Sequence, residues 1–421
     1  MRKLAHAVFV DVSPFGGNPD FQWFFASRAM TSAARQVIIV AVPLQIYALT
    51  GSSLAVGLIG AAQLIPLLMV ALVGGALADA LDRRRLLIVV QLLLAVTCGG
   101  LAVYAFSDNA ALWPIYLLVA INAGIFAVEQ PTRTAVLATI VTYENLPSAM
   151  ALNQVLNQLS KAVVPALGGF MVALAGTTAT YTTAAVLTVA GALTMRGVSP
   201  LPPTGGGRSF GWRSIVEGLG YIRRDRLIKA TLVVDINAMV FGMPSALFPA
   251  IGTEVLGGDA TTVGLLYAAP GIGALLAAVT SGWLRRVRRQ GLTVIVSVMI
   301  WGLAIAAFGF TASLGLALLL LAIAGAADVI SAVFRGTIIQ MRVPDDLRGR
   351  VSSAHSAAVG GGPRLGDLEA GVVASLTSTQ VSVVSGGLVC ALGTLVIAKT
   401  MPELPRFQPP LQPAPVERGP K

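Results

Sequence analysis

The chain has 421 residues, 55% hydrophobic and 11% charged, with a mean hydropathy of +0.79 and a formal net charge of +10. That apolar excess excludes a soluble domain, and long apolar runs without period-2 alternation exclude a membrane barrel. The basic residues sit on separated connections with no contiguous soluble domain to carry them, so no nucleic-acid partner is expected.

Arg2 and Lys3 open the chain, and the short apolar stretch after them is interrupted by Asp11. That core is too poor for a cleaved leader, so the segment is expected to be retained. A spanning helix needs about 20 mostly apolar residues. By that rule spans fall near residues 22–49, 55–78, 86–107, 111–139, 148–176, 178–197, 227–255, 260–284, 291–311, 314–341, 351–377 and 380–399. The expected fold class is an all-α membrane protein of twelve helices in two pseudo-symmetric six-helix bundles.

The connections alternate in charge. Thr50–Ser53, Ser107–Ala110, Gly176–Thr178, Gly257–Thr262, Thr311–Leu314 and Thr377–Gln380 contain no Lys or Arg. The intervening stretches hold Arg83–Arg85, Arg133, the Arg196–Lys229 group, Arg285–Arg289 and Arg335–Arg350. Positive charge in short loops stays inside during insertion. The pattern therefore predicts a multi-pass protein of the cytoplasmic (inner) membrane with both termini inside.

Residues 199–226 form the longest polar connection, opening with Pro200, Pro202, Pro203 and Gly205–Gly207. Trp212, Ile215, Val216, Leu219 and Ile222 then interleave with Arg213, Glu217, Arg223 and Arg224, which suits an amphipathic helix on the cytoplasmic surface. The linker divides a bundle of residues 1–198 from one of 227–400, and the Pro-rich 401–421 read as a disordered tail. The bundles resemble each other. An offset of 207 aligns Gly57, Leu58, Ala61, Ala62, Leu68, Gly75 and Leu77 with Gly264, Leu265, Ala268, Ala269, Leu275, Gly282 and Leu284. An offset of 203 aligns Lys161 and Gly168 with Arg364 and Gly371. Parallel repeats around a central site describe a secondary transporter.

Gly75-Ala-Leu-Ala-Asp79-Ala-Leu-Asp82-Arg83-Arg84-Arg85 resembles the loop signature of the major facilitator superfamily, with Ala80 and Asp82 as departures. The resemblance implies a cytoplasmic gate at Gly75 and Asp79, to which Arg83 and Arg84 contribute or for which they set orientation only. Further stretches narrow the match: Ala41–Ser53, Glu144–Asn153, Pro165–Gly169, Phe248–Ala250, Gly264–Ala269 and Pro344–Arg350. They are similar to the enterobactin (siderophore) exporter and drug:proton antiporter branch. That resemblance implies proton-coupled export of a siderophore or similar small metabolite by alternating access; tetracycline- or macrolide-type multidrug efflux is the alternative. Val164-Pro165 stands where the antiporter pattern has Gly-Pro, so this motif does not secure proton antiport.

Ionisable groups at bilayer depth face a cavity or a partner. Lys161 and Arg364 lie about 13 residues into their spans, roughly 20 Å deep at 1.5 Å per residue. At equivalent places in the two repeats, they are expected to bind an anionic or catechol-bearing substrate, with Arg35, Gln154 and Gln158 beside them; pairing with carboxylates is the other reading. Asp328, Glu129 and Asp367 are the candidate proton carriers, in that order. Arg28 and Asp235 align under the 207 offset and are expected to pair between halves as a gate. Arg364 and Asp367, three apart, could pair within one helix.

No metal site and no cofactor are expected: no Cys/His/Asp cluster has metal-ligand spacing. There is no GxxxxGK[ST] phosphate loop, so the energy source is expected to be the proton gradient. No nucleophile–base constellation marks an enzyme. A transporter-like receptor that moves nothing is a third reading, and costly intramembrane charge argues against it. The expected partners are a small-molecule substrate and the bilayer, with one chain enclosing its own pathway.

Overall fold

The computed structural model describes residues 11–107, 110–202 and 212–409, with the side chains of 71–79, 212–215, 285, 345–346 and 353 outside the description. Among the described residues the structure is all helical. In chain order the long helices are α1 (Pro19–Thr50), α2 (Ser53–Ala80), α3 (Arg83–Phe106), α4 (Trp113–Ile140) and α5 (Leu146–Met195). They continue with α6 (Trp212–Arg224), α7 (Arg226–Phe241), α8 (Ala260–Val279), α9 (Gln290–Phe308), α10 (Leu314–Arg342), α11 (Asp345–Leu376) and α12 (Thr379–Thr400).

Among the described residues ten helical segments are long and apolar enough to cross a bilayer. One is the 50-residue α5, which reverses at Gly176 (φ +76°) and so contributes two spans. Another joins α7 to residues 242–255. The charged α11 is 32 residues long and packs inside the bundle. The arrangement is consistent with twelve crossings. The expected span 260–284 ends earlier, because α8 stops at Val279 and a 3-10 turn covers Ser281–Arg286.

Tight connections follow from side-chain caps that satisfy the free amides of each helix start. Asn18 accepts from the Phe21 amide at 3.0 Å and Asp82 from that of Arg85 at 2.9 Å. Asp225 accepts from Leu227 and Ile228, and Asp259 from Thr261 and Thr262. Apolar side chains such as Ile65, Met69, Val96, Val103 and Leu276 stay exposed around the perimeter, more apolar surface than a soluble monomer carries.

The two halves meet through glycines. A Cβ on Gly264 (α8) would lie 2.7 Å from the Pro165 carbonyl oxygen and 2.8 Å from Gly169 Cα (α5). A Cβ on Gly57 (α2) would lie 2.6 Å from the Asp367 carbonyl oxygen and 3.1 Å from Gly371 Cα (α11). Gly57 and Gly264 are repeat equivalents, so one crossing is built twice. Both lie toward the arginine-poor end, where small residues let helix backbones touch. Nearer the middle, Gly60 packs on the Arg364 backbone and Gly271 on that of Lys161.

The linker is fastened at both ends. Leu201 donates its amide to Asp82 Oδ2 at 3.0 Å and accepts from the Arg83 amide at 3.1 Å, while Ser199 donates to Asp20. Asp82, a departure from the superfamily signature, thus both caps α3 and holds the linker. The other end, α6, docks on the second half: Glu217 pairs with Arg350 at 2.8 Å, and Gly218 lies against the Arg350 backbone. Asp225, just beyond α6, pairs with Arg342 at 2.8 Å.

Candidate functional site: a charged chamber between the halves

Below the glycine crossings, polar side chains line the space between the bundles. Arg35 of α1 stacks on the Phe126 ring of α4, 3.2 Å from its centroid. It lies within electrostatic reach of Arg364 of α11 and of Lys161 of α5. Lys161 is exposed, and no carboxylate lies within 4.0 Å of Arg35, Lys161 or Arg364 among the described residues. Arg364 donates to its own Gly360 carbonyl at 2.7 Å and leaves Nε unpartnered. The cations expected from the sequence are thus brought together. Gln154 is exposed, while Gln158 is buried.

The carboxylates separate by environment. Glu129 is 4% exposed and accepts from Arg133 Nε at 2.9 Å; Arg133 also donates to Thr31. Asp367 accepts from Ser245 Oγ and, at 3.1 Å, from the Ala246 amide. It thereby satisfies backbone freed where α7 ends at Phe241, and Trp301 Nε1 donates to the Gly242 carbonyl at 2.8 Å on the other side. The anticipated Arg364–Asp367 ion pair is not made, because this break claims the carboxylate. Asp328 keeps 43% of its side-chain exposure and faces Arg335 at 3.7 Å.

Asp235 does not pair with Arg28. It pairs with Arg335 of α10 at 2.7 Å and faces His355 of α11 at 3.4 Å. Arg28 lies instead near Glu129 and Arg133 of its own half. Repeat-equivalent residues occupy matching places in two bundles and touch only near the axis between them. Tyr47 and Glu254, also 207 apart, are near it: the Tyr47 hydroxyl donates to Glu254 across the arginine-poor end. Above them opens a vestibule of about 830 Å³ lined by Ser52, Ser53, Ser375, Ser378 and Gln380.

Of the expected loop gate, Arg83 donates to Thr139 Oγ1 at 3.0 Å and Arg84 to the Arg196 carbonyl, contacts within the first half. The side chains of Gly75 and Asp79 lie outside the description. Arg133 and Arg335 fall in the basic stretches of the loop-charge pattern, and no sequence motif marks Tyr47 or Glu254. The 202-residue spacing of Arg133 and Arg335, each with a hydrogen-bonding residue four positions earlier (Glu129, Ser331), was the available signal.

Two helical bundles facing each other across a charged chamber define a secondary transporter of the major facilitator type. The chain belongs to the transmembrane secretion effector family, which matches residues 11–414. It is 30% identical over 411 residues to the enterobactin exporter EntS of Citrobacter koseri, covering 96% of each chain. Against EntS of Shigella boydii it is 29% identical over 400 residues, 93% of this chain and 94% of the other. Among solved structures the fold is shared with the nucleoside transporter NupG: TM-score 0.69, 14% identity, 93% and 100% coverage. It is also shared with a bacterial homolog of the human lysosomal transporter Spinster, inward-facing and unoccupied: TM-score 0.73, 14% identity, 94% and 100% coverage.

Proposed function

We propose that the protein is a proton-coupled exporter of an anionic, catechol-bearing siderophore, working by alternating access in the cytoplasmic membrane. The observation that carries this reading is the convergence of Arg35, Lys161 and Arg364 with no carboxylate within 4.0 Å among the described residues. Cations held at bilayer depth cost free energy unless an opposite charge meets them, and an anionic substrate supplies it. Within the membrane the first half offers Arg28, Arg35, Arg133 and Lys161 against the single described carboxylate Glu129, so its wall is positive. The similarity to enterobactin exporters supports the same substrate class.

With the basic connections inside and both termini cytoplasmic, the glycine crossings and the Tyr47–Glu254 bond close the outer end. Of Asp328, Glu129 and Asp367, Asp328 is the one left open to the chamber, since Glu129 is spent on Arg133 and Asp367 on the helix break. The energy source is the proton gradient, with no cofactor or metal, and one chain forms the transport unit. Efflux of cationic drugs is the second reading, favoured by the exposed Asp328. The test is a deletion strain under iron limitation, restored with the gene, with siderophore in cells and medium quantified by mass spectrometry beside a drug panel. Siderophore retained without the gene and secreted with it supports the first reading; unchanged secretion with drug hypersensitivity replaces it by the second.

A further inference from the structure

The internal repeat allows the two buried charge clusters to be compared position by position. Arg133 and Arg335 are equivalent under an offset of 202, and Arg28 and Asp235 under 207. In the first half Glu129 and Arg133 lie four apart on one helix, so their pair survives any movement between helices. That cluster, with Arg28, carries one excess positive charge and has no use for a further proton. In the second half Ser331 stands where Glu129 would be, and the acid has moved to another helix. Arg335 serves Asp235 of α7 at 2.7 Å and Asp328 of its own α10 at 3.7 Å, and it donates to Ser331 at 2.7 Å. Within this half two carboxylates share one permanent cation, and the other cation within reach of Asp328 is Lys161, across the halves.

The remaining group is His355 of α11, whose Nε2 lies 3.4 Å from Asp235 Oδ2. Asp235 is 1% exposed, and neither of its oxygens accepts a well-directed hydrogen bond, despite the nearby Arg335 charge. The His355 side chain is 26% exposed, so it stands between this buried carboxylate and water. Among the described residues the surrounding elements supply no other free acid here. Across the halves Lys161 of α5 lies within electrostatic reach of Asp328. The Glu217–Arg350 and Arg342–Asp225 pairs stay at the basic edge, where Lys399 of α12 also lies. The described side chains of α2 carry no charge.

We propose that Asp235 and His355 together form the proton-carrying site of this protein. One proton from outer water is held between Asp235 Oδ2 and His355 Nε2, and His355 returns it to water at the basic end. No other bond is made or broken. The site deepens the export reading by naming the coupling residues, and it is separate from the cations that would hold substrate. With the proton bound, Asp235, Asp328, Arg335 and His355 sum to zero and tie α7, α10 and α11 together in the packing observed, with the outer end closed. Loss of the proton leaves Asp235 and Asp328 to share Arg335 within the half and loosens that packing. Acidification therefore favours the outer-closed state, and raising the pH removes that advantage.

The test is a distance measurement between spin labels at Ser53→Cys and Gln380→Cys, on the two sides of the outer vestibule, in the purified full-length protein from pH 5.5 to 8. No substrate is needed. The expected result is a closed-to-open ratio that falls about tenfold, the effect of one pH unit of differential proton affinity. His355→Gln should flatten this response, and His355→Lys should hold the closed state across the range. Glu369→Gln on the same helix should titrate like the parent. A parent ratio that does not move with pH, or a His355→Gln ratio that moves with it, overturns the proposal. Enterobactin flux in everted vesicles is measured in parallel: a pH-responsive protein without flux rejects the substrate reading and leaves the proton site standing, whereas flux with no pH response rejects the site.

Discussion

Gly169→Val should force the outer ends of α5 and α8 apart. A Cβ at Gly169 would sit 2.7 Å from Gly264 Cα, and the neighbouring Gly264 already lies against the Pro165 carbonyl. Carbon atoms settle at about 3.5–4.0 Å, so the helices must separate by roughly 1 Å before any further valine atom is placed. Forcing extra atoms into a packed contact costs about 1–3 kcal/mol. The cost falls only on the state in which these helices touch. The outward-open population should therefore rise about 5- to 150-fold. The assay is labelling of Ser53→Cys in whole cells by a membrane-impermeant maleimide, with siderophore export measured in the same strains. Gly371→Val, at the repeat-related crossing, should behave the same way. Gly99→Val should change nothing, since a Cβ there meets nothing within 4 Å. Parental labelling and undiminished export in Gly169→Val would refute the assignment of this crossing as the outer closure.

Lys161→Gln and Arg364→Gln should each raise the KM for enterobactin about 10- to 100-fold, as loss of a charge-assisted contact worth about 1.5–3 kcal/mol implies; vesicle transport measures it, with an uncharged drug as the unaffected comparison. Tyr47→Phe removes the bond to Glu254 and should increase outer labelling by about 2- to 10-fold, the equivalent of about 0.5–1.5 kcal/mol. Arg133→Met leaves Glu129 buried and unpaired, so thermal unfolding in detergent should show a loss of about 3–5 kcal/mol, largely recovered by adding Glu129→Leu.

The helices were legible because lipid leaves so few options: apolar run length and alternating loop charge suffice for the spans, and Gly176 supplies the reversal inside α5. The meeting of Arg35, Lys161 and Arg364 was legible in part, from depth and repeat equivalence. The partners of Asp235 were not. Asp235 was matched with Arg28 through the offset, yet sequence equivalence gives a matching place in the other bundle and carries no distance. The true partners of Asp235 lie 100 and 120 residues away on α10 and α11, a tertiary fact with no local periodic signal. The possible Arg364–Asp367 pair likewise does not form, because a helix break after Phe241 decides which donors Asp367 meets.

The doubly fastened linker bears on how the chain can be divided. Leu201 stays with the first half through Asp82 and Arg83, while α6 stays with the second through Glu217 and Gly218. A cut between Pro202 and Trp212 would leave each attachment intact on its own fragment. The two fragments, made from separate messages, should then reassemble in the membrane through the glycine crossings and the Tyr47–Glu254 bond. The covalent join would serve to deliver both bundles in equal number, with the fit between them residing wholly in their facing surfaces.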